Sequence, residues 1–293
     1  MTMGVLDPEK SSRSPIAMGL GRRVQANGLS FHVVEQGRGK PVLLLHGFPD
    51  TSRLWRNQFP ALENAGFRVV APDLRGRGES QKPHAIGDYA LPILVQDVLS
   101  ILDEIGVERA HVVGHDWGAV LAWELAIAHP ERVDRLVVIS VPHPGVGRSV
   151  QQLEKFWYIF FFQFAGIAEE ALSRDGWQLF REWLRGQGDF ESYIEDLSRP
   201  GALSAALNWY RANAAPADLV SQPALRPSVR VPTLGICGAH DIALLADRIA
   251  ASGRYVSDPW RFELFEDAGH WIPLERPDRL NRLLIDFLGE SRR

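Results

Sequence analysis

Short apolar runs alternate along this chain with longer stretches in which apolar residues recur every three or four positions. The run Pro41-Val42-Leu43-Leu44-Leu45 is uniformly apolar, as expected of a strand covered by helices on both faces. Residues 67–71, 110–113, 135–140, 233–237 and 261–265 read as further strands, and residues 52–65, 89–105 and 119–126 as helices. Ahead of them, Asn27-Gly28 between two alternating runs signals a hairpin with a type I′ turn. Strand and helix in alternation predict the α/β class: a mostly parallel sheet with helices on both faces, opened by an antiparallel hairpin. Ligands of such sheets bind beyond the carboxyl ends of the strands. Between about Pro142 and Pro227 the strand signals vanish, and Trp, Phe and Leu recur at helical spacing. The organisation expected is a flexible leader (1–20), a core made of 21–141 and 228–293, and an inserted helical cap (142–227).

Composition narrows the classes of partner. A chain of 293 residues with 45% hydrophobic content is long enough for one large core or a core plus an inserted lobe. The densest apolar stretch, residues 156–168, is broken by Gln163 and is shorter than the roughly 18 to 20 residues that spanning needs, so no membrane insertion is expected. Net charge is −4 with acids and bases interleaved, which implies neither nucleic acid nor an anionic surface as partner. The single cysteine, Cys237, excludes an internal disulfide and offers no cluster for a metal, and no cofactor is expected. Residues 1–20 hold no apolar core of signal-peptide type, so the cytoplasm is the default location. A homodimer is compatible with the sequence, which does not set the oligomeric state.

The candidate chemistry centres on Gly114-His115-Asp116-Trp117-Gly118. A strand runs into it and a helix leaves it, and a nucleophile held on so sharp a turn needs small neighbours because the backbones approach closely. Gly114, Gly118 and Ala119 are small enough. The residue at the tip is Asp116, where Ser is usual, and this selects a different electrophile. A carboxylate attacks a saturated carbon without a base and leaves an ester that water can cleave, whereas Ser would leave a stable ether. The competing reading is that Asp116 merely caps the following helix.

Ester cleavage needs a base, and the base needs an acid to orient it, in the chain order nucleophile, acid, histidine. His270, after the last strand and preceded by Gly269, is the candidate base. His115 and His111 lie too early. Asp241, just past the strand at 233–237, is favoured as the acid, with Asp267 and Glu266 as rivals close to His270 in sequence. The oxyanion of the second step forms on Asp116 itself, so two N–H groups must face it, and Trp117 and Phe48 can supply them.

Together His46-Gly47-Phe48-Pro49, the loop Asp73-Leu74-Arg75-Gly76-Arg77-Gly78-Glu79-Ser80, the Asp116 elbow and the late Asp241 and His270 resemble the α/β-hydrolase superfamily over roughly residues 22–290. Asp at the elbow resembles its epoxide hydrolases and haloalkane dehalogenases. Epoxide opening leaves an alkoxide that must be protonated, which the first family does with two cap tyrosines. The segments Trp157-Tyr158 and Trp209-Tyr210 resemble those tyrosine segments, so the resemblance implies Tyr158 and Tyr210 as proton donors; the cap has one other tyrosine, Tyr193. The competing reading makes both packing aromatics. Dehalogenases resemble His-Gly-Asn or His-Gly-Glu where this chain has His46-Gly47-Phe48, so a halide-holding side chain is missing. Phe48, Trp117, Trp157, Phe161 and Trp271 are expected to line the pocket of a small lipophilic epoxide. A haloalkane dehalogenase is the rival enzyme, and a non-catalytic ligand-binding protein on the same scaffold is the rival of another class.

Overall fold

The computed structural model describes residues 20–221 and 223–290. Eight strands form one sheet: β1 (Leu20–Ala26), β2 (Leu29–Gln36), β3 (Pro41–Leu45), β4 (Arg68–Pro72), β5 (Ala110–His115), β6 (Val133–Ile139), β7 (Thr233–Gly238) and β8 (Trp260–Phe265), in the order β1-β2-β4-β3-β5-β6-β7-β8. β2 runs antiparallel to both β1 and β4, and every other pairing is parallel. The α/β expectation holds. Asn27 and Gly28 both take positive φ, 45° and 75°, as a type I′ turn requires. Of the expected leader, residues 1–19 lie outside the described residues, while Leu20 already belongs to β1.

Burial explains why the central strands read as unbroken apolar runs. Every residue of β5 and β7 is buried, because helices cover both faces. The stretch expected as one helix over 52–65 is instead a single-turn 3₁₀ helix (Ser52–Trp55) followed by a helix at Gln58–Asn64. Pro60 is the reason: lacking an N–H, it cannot bond back to residue 56, so the helix restarts with Pro60 in its first turn.

Between β6 and β7 there is no strand among the described residues. Six helices occupy this stretch: Val150–Lys155, Trp157–Phe162, Ile167–Leu184, Phe190–Leu197, Ala202–Asn213 and Pro216–Val220. They lie over the carboxyl edge of the sheet, where the Tyr210 ring packs 5.1 Å from that of Trp117. No helix among the described residues is long and apolar enough to cross a membrane.

Candidate active site

Parallel strands deliver four loops to one sheet edge. β3 leads to His46–Asp50, β5 to Asp116, β7 to Asp241, and β8 to His270. β3 and β5 are neighbours, and their loops touch so closely that a Cβ on Gly47 would stand 2.3 Å from the Asp116 side chain. A Cβ on Gly114 would meet the Gly118 carbonyl at 2.3 Å, and one on Gly118 the Leu45 carbonyl at 2.0 Å. These glycines are therefore demanded by space. Asp116 itself sits at φ 51°, ψ −122°, a strained backbone for a non-glycine residue.

The carboxylate of Asp116 does not cap the helix Trp117–Ala128 that follows it, since its side chain accepts no capping bond there. It turns instead to the site, where the Phe48 N–H donates to Oδ1 at 2.7 Å and His270 Nε2 lies 3.7 Å from Oδ2. His270 Nδ1–H donates to Asp241 Oδ2 at 2.8 Å, which fixes the tautomer and aims Nε2 at Asp116. The other oxygen of Asp241 accepts the N–H groups of Ala243 and Leu244 at 2.7 and 2.9 Å. The rival acid Asp267 is exposed and bound to Arg276. Among the described residues no group of side chains could hold a metal ion.

The charges in this cluster support one another. Burial alone would neutralise His270, but Asp241 and Asp116 outweigh it and push its pKa up to about 10. Burial would raise both carboxylates; the His270 charge and hydrogen bonds instead hold each below the usual carboxylate range. The resting site is thus a buried triad of carboxylate, imidazolium and carboxylate.

Above it stand Tyr158 and Tyr210, both buried, with ring centroids 5.9 Å apart. Both border the space beside Asp116. Burial first, and then the charge of Asp116, raises both phenols well above 10, so each keeps its proton at neutral pH. Trp117 edges the large cavity at Asp116 and Trp271 the small one, where Phe48 also lies. Trp157 and Phe161 line neither, contrary to expectation. In the helix Trp157–Phe162 the inward positions are Tyr158, Ile159 and Phe162, which turns Trp157, 44% exposed, and Phe161 away.

Other residues, to which the sequence assigns no role, reach the site. Asp50 is buried, accepts the Trp271 indole N–H at 2.9 Å, and is pushed up to about 7 by burial, partly offset by Trp271. It directly follows the Phe48 loop, so its spacing could have found it. The His115 Nε2–H donates to the His270 carbonyl at 3.0 Å, with the two rings 4.7 Å apart. Burial holds its pKa down at about 3. Arg77 is a buried guanidinium over the Phe48 and Trp209 rings, at 5.1 and 5.9 Å. Gly269 serves packing rather than freedom of the chain: a Cβ there would strike Gln187 at 2.3 Å. That glutamine accepts the His270 N–H at 2.9 Å and donates to the His240 carbonyl at 3.2 Å.

Fold and site together define a hydrolase of the α/β type, and the family model described as alpha/beta hydrolase fold matches residues 40–277. Epoxide hydrolase A of Mycobacterium tuberculosis is 34% identical over 91% of this chain and 96% of its own length. Epoxide hydrolase 4 of Homo sapiens is 37% identical over 92% of this chain and 79% of its own. Among solved structures, a mutant of an epoxide hydrolase from Bacillus megaterium superposes with a TM-score of 0.84 at 27% identity, covering 92% of this chain and all of the other. The chain belongs to the α/β-hydrolase family, in its epoxide hydrolase branch.

Proposed function

We propose that the protein hydrolyses epoxides to vicinal diols through an ester on Asp116, with residues 142–227 acting as a cap that carries the acids. The observation that carries this reading is the placement of the Asp116 carboxyl and the Tyr158 and Tyr210 rings around one largely apolar space. Asp116 attacks an epoxide carbon, the carbon–oxygen bond breaks, and the departing oxygen takes a proton from Tyr158 or Tyr210. With Oδ1 held by the Phe48 N–H at 2.7 Å and His270 Nε2 at 3.7 Å from Oδ2, Oδ2 is the less tightly held oxygen for this attack.

Esterification removes the charge of Asp116, one of the two that hold the His270 pKa near 10. The imidazole then loses its proton more readily and becomes competent as a base. Nε2 takes a proton from water, the hydroxide adds to the ester carbonyl, and the oxyanion is held by the Phe48 and Trp117 N–H groups. Collapse breaks the bond to the alkyl oxygen, which leaves as the second hydroxyl of the diol with a proton from His270. The proton that His270 gives up to solvent before acting as base balances the one that restores the tyrosine, and the new Asp116 carboxyl passes its proton to His270, which returns the site to its resting state.

Incubating the protein with epoxides and haloalkanes side by side tests the reading. Diol formation without halide release is expected. Halide release with no diol from any epoxide would assign the site to dehalogenation, and binding without turnover of either would assign it to ligand capture.

A further inference from the structure

Asp116, Tyr158 and Tyr210 stand where two cavities of very different size meet. The larger, of about 260 Å³, runs past Val120, Val146, Phe156, Ile159, Leu219 and Leu244 towards Arg148, which is exposed and marks its rim. The smaller holds about 10 Å³ and is lined on its far side from the large arm by Trp183, Ile242, Ala243, His270 and Trp271. By the same measure a single water needs about 10 to 15 Å³. The small chamber therefore admits at most one water, on the side of the site where His270 is.

We infer that the substrates are terminal epoxides: the single substituent lies along the large arm, and the small chamber is kept for the water that cleaves the ester. The inference rests on the epoxide reading above and adds the class of epoxide. With its oxygen between the tyrosines and one carbon at Asp116, an epoxide directs the substituents of its two carbons to opposite sides. An internal epoxide would have to drive an alkyl group into the small chamber. That wall does not yield easily, because the Trp183 ring is packed at 4.6 Å on Tyr158, 5.7 Å on Phe162, 5.9 Å on Phe180 and 6.1 Å on Phe48. Extra methylenes forced into such packing displace rings that also position the acid Tyr158. An alkyl group there would also take the place of the water.

Isomeric octene oxides give the test, since 1,2-epoxyoctane and cis- and trans-4,5-epoxyoctane have the same atoms. With the full chain, kcat/KM is expected to favour the terminal isomer by at least about 100-fold. In Trp183→Ala the internal isomers should gain at least about tenfold relative to the terminal one. Val146→Trp is the converse variant: it should slow 1,2-epoxyoctane by about tenfold or more while sparing 1,2-epoxypropane, whose methyl needs little of the large arm. Internal isomers turned over within about threefold of the terminal one would overturn the inference while leaving epoxide hydrolysis intact. So would an unchanged ratio in a folded Trp183→Ala, or equal losses for both terminal substrates in Val146→Trp. Turnover of no epoxide at all would overturn the proposed function, and this inference with it.

Discussion

The two sides of the site are built from different materials. The sheet edge supplies charge, in Asp116, Asp241 and His270, each held by backbone or ring hydrogen bonds of 2.7 to 2.9 Å. The helices above supply neutral phenols held by packing of rings. The difference follows from dielectric physics: an ion buried without partners is prohibitively costly, whereas a buried phenol needs only shape around it. Charge therefore resides where parallel strands end and loops can be tied down, and the acids reside where helices can vary.

Removing the charge at the sheet edge is the strongest way to break this division. Asp116→Asn keeps the shape and should lower single-turnover alkylation by at least about 10⁴-fold, read by rapid quench on freshly prepared protein. Tyr158→Phe and Tyr210→Phe keep the rings and should each slow alkylation by about 10² to 10⁴, with the double variant losing at least as much. A double variant that opens epoxides at the wild-type rate would remove the phenols from the chemistry. Tyr193 also borders the site, where it packs on Trp271 at 6.0 Å next to Asp50.

Asp241→Asn acts one step later. It should leave alkylation nearly intact and slow ester hydrolysis by about 10²-fold, seen as a burst followed by slow turnover. The ion triad also makes a prediction for stability. The folded pKa of His270 is raised to about 10 from an unfolded value of about 6.5, so its contribution is fully present below pH 6.5 and is lost as pH rises through 10. Between pH 7 and 10.5 the melting temperature of the wild type should fall more steeply than that of His270→Gln. Parallel slopes would contradict the pairing. The smallest effect is expected at the join between the two sides, where Gln187→Ala removes the acceptor of the His270 N–H and should lower stability by about 1 kcal/mol, measured as a urea midpoint.

The same division governs what the sequence makes legible. The sheet, the hairpin and the elbow are visible because local sterics dictate them: Gly114 and Gly118 leave no alternative, and β5 is apolar throughout because it is covered on both faces. Asp241 and His270 are legible because strand order sets where loops emerge, although their sequence neighbour Asp267 is resolved only by geometry. In the helical segment, Tyr158 is found through a family resemblance, while Trp157 and Phe161 fall on its outer face because a shift of one residue turns a side chain by about 100°. Trp183 and Gln187 reach the site through contacts between distant segments, and no local pattern encodes those. Asp50 is legible by position, since it directly follows His46-Gly47-Phe48-Pro49.

The central claim is that Asp116 forms a covalent ester and that His270 is needed only to cleave it. His270→Gln mixed with an epoxide, followed by intact-protein mass spectrometry and peptide mapping, tests it directly. The expected spectrum shows an adduct equal in mass to the whole epoxide, because the ring oxygen stays on the substrate, mapping to Asp116 and persisting after one turnover. A protein that binds the epoxide and never gains mass, or one whose adduct maps to another residue, would contradict the account.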